Sequence, residues 1–300
     1  MLLLNPFKLC AYSCLAHFCI SSLVAAGQLS IEPVPSSTNS EATYKLARKF
    51  AKGDGQPRDL VKAAELLRQA AEGGYAAAQT DLGAAYANGA GVPQDFRKAA
   101  EWYRKAAEQG DTLAEYTFGR SLLIGRGVAT NIESGLGWLR RAADRGQPDA
   151  MLFLGDLYLN GLAGLSLDYT MAMHWFSNAV ANGRISGLNS IGYLHEHGLG
   201  VPRNLQSAVE SYRKAAEAGD ARAQMNLGRM YLEGSGVGRD PVEARKWFEL
   251  AVRHGELVAQ HYIQEMQMHE ELTPGQEAEA DQKAGSYIEQ HGVVSSPAAR

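Results

Sequence analysis

The chain has 300 residues, 45% hydrophobic and 21% charged, which is ordinary for a folded protein of one or two domains. A net charge of −4 leaves no basic footprint, so nucleic acid is excluded as an expected partner. The three cysteines, Cys10, Cys14 and Cys19, all lie close to the N-terminus, which excludes a disulfide framework in the remainder of the chain.

Residues 1–26 read as a signal peptide. Lys8 is the only charged side chain before Glu32, and a mostly apolar stretch from Leu9 ends in Val24-Ala25-Ala26-Gly27. A positive start, an apolar middle and a small-residue exit predict cleavage after Ala26 and a periplasmic or secreted product. Its net charge moves from −4 to about −5. The uncharged run is also long enough to span a bilayer, so an uncleaved membrane anchor is the alternative. A lipid anchor on Cys19 fits badly, because Ala16-His17-Phe18 is not a small-residue run. Residues 27–40, with Pro33, Pro35 and four serines from Ser30 onward, predict a linker.

From there a repeat takes over. Leu46, Leu82, Phe118 and Leu154 are spaced by 36 residues, Ile191 follows after 37 and Leu227 after 36. Next to them stand Ala47, Gly83, Gly119, Gly155, Gly192 and Gly228, and four positions on come Phe50, Tyr86, Leu122, Tyr158, His195 and Tyr231. These share one face of a 3.6-residue period, which predicts a first helix in each unit. Gly89 ends that helix in the second unit, Pro93 forbids its continuation, and Asp95 caps the next. The second helix, Phe96 to Gln109, places Ala99, Tyr103 and Ala106 on one stripe. Gly83 and Ala99 allow the paired helices to approach closely. One such pair cannot bury its apolar face, whereas stacked neighbours can, so the prediction is an all-α solenoid over residues 41–256.

Gly89-Ala90-Gly91-Val92-Pro93-Gln94-Asp95, followed by Trp102-Tyr103-Arg104-Lys105-Ala106-Ala107, closely resembles the Sel1-like repeat, a relative of the tetratricopeptide repeat. Gly198 to Pro202 and Tyr212 to Ala216 carry the same pattern. The resemblance implies a right-handed superhelix of about six helix pairs that binds another protein, with first helices lining the concave side. It also implies that exported bacterial members regulate signalling or envelope assembly, and it brings no catalytic residue and no cofactor. Two units depart from the pattern. The third has Ala129 for the usual Pro and Gly135 for the usual Ala. The fourth is one residue longer across Gly161 to Asp168 and lacks Pro, which reads as a loop insertion.

Beyond Gly255, residues 257–292 predict two capping helices. Thr273 is an N-cap, Pro274 takes the first position, and Glu277, Glu279, Asp281 and Lys283 form a charged outer face. Residues 293–300 read as a disordered tail.

The face opposite the leucine-like positions gives the candidate site: Arg120 and Ile124, then Phe153, Asp156 and Asn160, then Tyr193 and His197, then Asn226 and Arg229. Aromatic groups flanked by arginine and amide groups suit protein recognition. The competing expectation is that neighbouring first helices touch, which would make Phe153 and Tyr193 core.

Three apparent chemical motifs are set aside. Ser211-Tyr212-Arg213-Lys214 matches a Ser-x-x-Lys nucleophile pattern, but the second unit reads Trp102-Tyr103-Arg104-Lys105 in the same columns. Gly234-Ser235-Gly236-Val237-Gly238 follows a helix, not the strand a phosphate loop needs. His261, Glu265 and His269 lie on one stripe without a metal signature, and no metal is expected. The leading expectation is an exported protein-binding scaffold that regulates a membrane sensor or envelope complex. The alternatives are a carbohydrate-binding accessory in polysaccharide export and an enzyme acting on cell-wall or β-lactam substrates.

Overall fold

A computed structural model describes residues 37–292. The expected signal peptide, linker residues 27–36 and the expected tail lie outside the described residues. Among the described residues there are fourteen helices and no strand. The first-helix and second-helix pairs are α1 (Ser37–Lys52) and α2 (Leu60–Glu72), α3 (Ala76–Asn88) and α4 (Phe96–Glu108), α5 (Thr112–Ile124) and α6 (Ile132–Asp144), α7 (Pro148–Asn160) and α8 (Tyr169–Ala181), α9 (Gly187–His197) and α10 (Leu205–Glu217), and α11 (Ala221–Glu233) and α12 (Pro241–Arg253). Two more follow, α13 (Ala259–Met268) and α14 (Pro274–His291). Helix α1 begins at Ser37, inside the expected linker.

The chain divides into two compact units, one ending at Tyr75 and the other starting at Ala76. The first holds α1 packed on α2. In the second, five helix pairs follow one another, each second helix also packing on the first helix of the next pair. One column of capping residues starts every second helix: the side chains of Asp59, Asp95, Asn131, Asp168, Asn204 and Asp240 each accept from a backbone N–H of the first turn.

The glycine after each leucine-like position is explained by what lies on it. A Cβ at Gly83 would stand 2.7 Å from Tyr103 Cε1, and Gly155, Gly192 and Gly228 meet the rings of Phe176, Tyr212 and Phe248 at 2.5, 2.7 and 2.7 Å. An aromatic ring of the second helix thus lies against the first helix's backbone. The third unit has Leu139 in the ring column, and there Leu139 Cγ would lie 3.0 Å from a Cβ at Gly119. A Cβ at Gly119 would meet the Gly135 carbonyl oxygen at 3.0 Å, and one at Gly135 would meet the Gly119 carbonyl oxygen at 2.9 Å. A Cβ at Gly135 would also meet Leu123 Cδ2 at 2.8 Å, which accounts for Gly in place of Ala there.

The longer fourth unit keeps two helices of 13 residues and takes up its extra residue in the loop. Ala163 there adopts φ 54°, and Ala163 and Leu165 pack onto the neighbouring core.

In the second, third and sixth pairs a polar contact absent from the apolar pattern links the start of the first helix to the end of its partner. Gln109 Nε2 donates to Gln79 Oε1 at 2.7 Å, Arg145 Nη1 to Glu115 Oε1 at 3.0 Å, and His254 Nδ1 lies 2.8 Å from Gln224 Oε1. Glu115 and Gln224 are fully buried, so these bonds give Glu115 Oε1 and Gln224 Oε1 partners that burial would otherwise deny them, while Glu115 Oε2 has none.

At the C-terminus α13 packs on α12 as a further first helix would, but α14 folds back along α12. Tyr287 packs edge-on against Trp247 at 5.6 Å and its hydroxyl donates to the Glu217 carbonyl at 3.2 Å. The charged face expected to point outward is partly turned in. Glu277 and Asp281 pair with the buried Arg245 at 3.3 and 3.5 Å, and Lys283 reaches Glu243 at 3.3 Å. A lone buried guanidinium on α12 draws these carboxylates inward.

Candidate functional site

The nine residues of the candidate face come from α5, α7, α9 and α11, at the positions turned away from the leucine-like column. The structure separates them into two groups. Arg120, Ile124, Asn160, Tyr193 and His197 are exposed, with Ile124 54% and Tyr193 42% accessible. Phe153, Asp156, Asn226 and Arg229 are half-buried.

Neighbouring first helices do touch, and that accounts for most of the second group. Phe153 packs edge-on against Tyr116 at 6.3 Å and joins the core around Leu139 and Leu154. Arg120 covers both rings, its guanidinium 5.4 Å from the Tyr116 centroid and 5.3 Å from that of Phe153, while Nη1 donates to the Tyr116 hydroxyl at 3.1 Å. Asn226 donates to Asn189 Oδ1 at 2.9 Å, bridging α11 to α9. Phe153 and Tyr193, expected to share one fate, therefore part company. Tyr193 leans its ring on His197 at 4.4 Å and keeps its other side to solvent.

Arg229 is tied to two carboxylates, Glu196 at 2.6 Å and Glu233 at 3.2 Å. Glu196 is buried, and its second oxygen accepts from the Tyr212 hydroxyl at 2.8 Å. Burial, reinforced by the Glu196 charge, holds the Tyr212 phenol far above its usual range. Glu196 was missed among the candidate residues. The signal is that its column otherwise reads Ala87, Leu123, Leu159 and Leu232, so one charge stands in an apolar series. Of the His195-Glu196-His197 run, the middle residue is the buried one, and His195 Nδ1 is buried with no partner.

Asp156 occupies the centre of the face. Burial pushes its carboxyl up to about 6, opposed by the more distant Arg222. Asn160 bonds the Asp156 backbone carbonyl at 2.9 Å and leaves the carboxylate free of it. A desolvated acid between Arg120 and Tyr193 gains most from a cation brought by a partner.

The motifs set aside have ordinary occupations. Ser211 Oγ donates to the Ser207 carbonyl at 2.8 Å, and Lys214 pairs with Glu210 at 2.7 Å, so neither group faces the other. Gly234 is the left-handed C-cap of α11. His261 pairs with Glu265 at 3.3 Å, and no group of three metal-ligating side chains comes together among the described residues. No described helix is long and apolar enough to cross a membrane.

Comparison with known proteins gives this arrangement relatives. A family model described as Sel1 repeat matches residues 40–75, 76–111, 114–147, 148–183, 185–220 and 221–256. The crystal structure of c5321, a protective antigen of uropathogenic Escherichia coli with an SLR fold, is 31% identical, with a TM-score of 0.70 over 88% of this chain and 58% of that one. A Sel1 repeat protein from Oxalobacter formigenes is 30% identical, with a TM-score of 0.67 over 84% of this chain and 75% of that one. A component of an ERAD-associated E3 ubiquitin-protein ligase from Arabidopsis thaliana, HRD3B, is 41% identical over 92 residues, which is 30% of this chain and 14% of that protein. The chain thus spans only a small part of that curated relative.

Proposed function

This chain belongs to the Sel1 repeat family, and on that premise we propose that it is an exported scaffold that binds another protein through the concave face formed by α5, α7 and α9. The observation that carries this reading is the exposure of Ile124 and Tyr193 beside Arg120, Asn160 and His197. Large apolar groups left in solvent among arginine and amide groups are what a protein partner buries. Asp156 adds a desolvated carboxylate that favours a lysine or arginine from the partner. The N-terminal segment supports a periplasmic or secreted site of action, where the partner is a membrane sensor or an envelope complex. The reading assigns the chain no catalytic step and no cofactor. A carbohydrate-binding role draws no support from the tryptophans, since Trp247 is buried under α14 and Trp138 packs edge-on against Phe118 at 5.9 Å.

The test is an affinity capture from cell-envelope extract with the chain starting at Gly27, alongside Tyr193→Ala and Ile124→Asp. We expect one protein retained by the parent chain and lost from both variants at unchanged melting temperature. Equal retention by the folded variants would remove the face from the interface. Export is read separately, from the N-terminal residue of the protein recovered from the envelope fraction. Gly27 is expected, and recovery of the full chain in the cytoplasm would end the exported reading.

A further inference from the structure

Helix α1 and the segment around α13 carry opposite charge. Helix α1 holds Lys45, Arg48, Lys49 and Lys52 against Glu41 alone. Between Arg253 and Lys283 the chain has seven carboxylates and no lysine or arginine. Most of those acids are matched from elsewhere in the chain, Glu256 by Arg222, Glu271 by Arg239, and Glu277 and Asp281 by Arg245. Glu265 is the exception on α13, where its neighbour is His261 of the same helix.

Neighbouring first helices meet at fixed offsets from the leucine-like column. Phe153, one residue before Leu154, packs on Tyr116 and under Arg120, which stand two before and two after Phe118. Asn226, one before Leu227, reaches Asn189, two before Ile191. Arg229, two after Leu227, reaches Glu196, five after Ile191. Helix α13 keeps this register. Ile263 takes the leucine-like place and is buried, and Glu256 pairs with Arg222 at the offsets that join Arg184 to Asp149. Helix α14 then folds back along α12, so no described helix continues the row of first helices past α13. The positions that would receive the next one are His261, Glu265 and Met268. His261 and Met268 are exposed, and the Glu265 side chain is 44% accessible.

Helix α1 is the first described helix, and its leading side is open. Leu46 is 42% exposed, whereas Leu154 and Leu227 of its column are fully buried. One residue before Leu46 stands Lys45, its side chain 70% accessible, and two after it stands the exposed Arg48. At the offsets that other first helices use, α1 of a second copy laid beside α13 brings Lys45 between His261 and Glu265, and Arg48 onto Met268. The carboxylate there receives an ammonium, and the arginine stem covers the methionine. We propose that copies of this chain associate head to tail, α1 of one copy continuing the row of first helices of another past α13. Each contact leaves one α1 and one α13 unused, so it repeats from copy to copy. A single helix laid on another buries less than the about 1,600 Å² of a stable interface, so the association is weak and sensitive to salt. It does not depend on Ile124 or Tyr193.

The chain starting at Gly27 is followed by sedimentation velocity from micromolar to millimolar concentration at pH 7.5, in about 10 mM and about 300 mM salt. The weight-average sedimentation coefficient is expected to rise with concentration at low salt, with a dissociation constant at least fivefold larger at high salt. Tyr193→Ala is expected to associate as the parent does. Lys45→Glu and Glu265→Lys each set like charges across the contact, and each is expected to weaken association at least tenfold while keeping the parent's helicity. An equal mixture of these two variants has opposite charges at every mixed contact and is expected to associate within threefold of the parent. A parent that stays monomeric at millimolar concentration and low salt, undiminished association of either folded variant, or a mixture no better than its components would each overturn the proposal. If a charge reversal prevents folding, Lys45→Gln and Glu265→Gln take its place, and association equal to the parent's in either would overturn the proposal as well.

Discussion

Arg229 of α11 holds Glu196 of α9 by both carboxylate oxygens, Nη2 lying 2.6 and 2.8 Å from them, and so joins the fifth repeat to the sixth. Glu196 stands where other repeats have Ala or Leu, and Tyr212 completes the group from α10. Breaking a buried pair from one side strands the other charge, at a cost of about 3 kcal/mol, while replacing all partners with apolar groups is close to neutral. Arg229→Met, which leaves the buried Glu196 without its cation, is therefore expected to lower stability by about 3 kcal/mol in urea titration. Glu196→Leu combined with Arg229→Met and Tyr212→Phe should recover most of it. If the single variant matches the parent, the pair does not couple these repeats.

Two Gly→Ala substitutions should act in opposite directions. Gly137 lies in α6 with nothing within 4 Å of an added Cβ, so Gly137→Ala should stabilise by about 1 kcal/mol through helix propensity. Gly83→Ala places its methyl 2.7 Å from the Tyr103 ring and should destabilise by about 2 kcal/mol. Adding Tyr103→Leu, which gives the combination the first repeat has at Ala47 and Leu67, should relieve part of the loss. Equal effects at the two glycines would show that Tyr103 does not lie on Gly83.

Period was the legible part of this protein. The leucine-like column, the Asp or Asn caps and the turn glycines repeat at one spacing, so helix pairs and their limits follow from local rules. What escaped was specific to single repeats. Glu196 stands out in its apolar column, but its partners Tyr212 and Arg229 come from other helices. The separate fates of Phe153 and Tyr193 depend on Tyr116, which reaches Phe153 from the preceding first helix. The inward turn of Glu277 and Asp281 required Arg245 on another helix. Each is a contact between repeats, which no single-repeat pattern encodes.

Asp156 gives a pH signature. Its carboxyl titrates near 6 in the folded chain and near 3.8 in the unfolded chain. Between those values the folded state holds the proton and the unfolded state does not, so stability falls as pH rises. Below about 3.8 the group is protonated in both states and contributes nothing. Asp156→Asn should therefore match the parent at pH 3.5 and be more stable at pH 7.5. The difference should be on the order of 1 kcal/mol, since partial solvent access screens the full shift. Thermal melts at the two pH values decide it, and a stability difference that does not grow with pH would mean that the carboxyl is solvated.

Helix α14 offers a readout of its own docking. Trp247 is buried beneath Tyr287, and Arg245 alone on α12 faces three carboxylates, Glu249 at 3.2 Å, Glu277 at 3.3 Å and Asp281 at 3.5 Å. Removing that cation leaves three like charges around an apolar site, so Arg245→Met should loosen α14 instead of tightening it, although methionine suits burial better. Trp247 then meets water, and its emission, taken as the difference from a Trp247→Phe control, should move to longer wavelength. Adding Glu277→Gln and Asp281→Asn removes two of those charges, so the shift should reverse in the triple variant. A red shift that persists there would mean that Arg245 holds α14 by packing. Unchanged emission at neutral pH would mean that the apolar contacts of Ala284, Tyr287 and Ile288 hold the helix without the guanidinium.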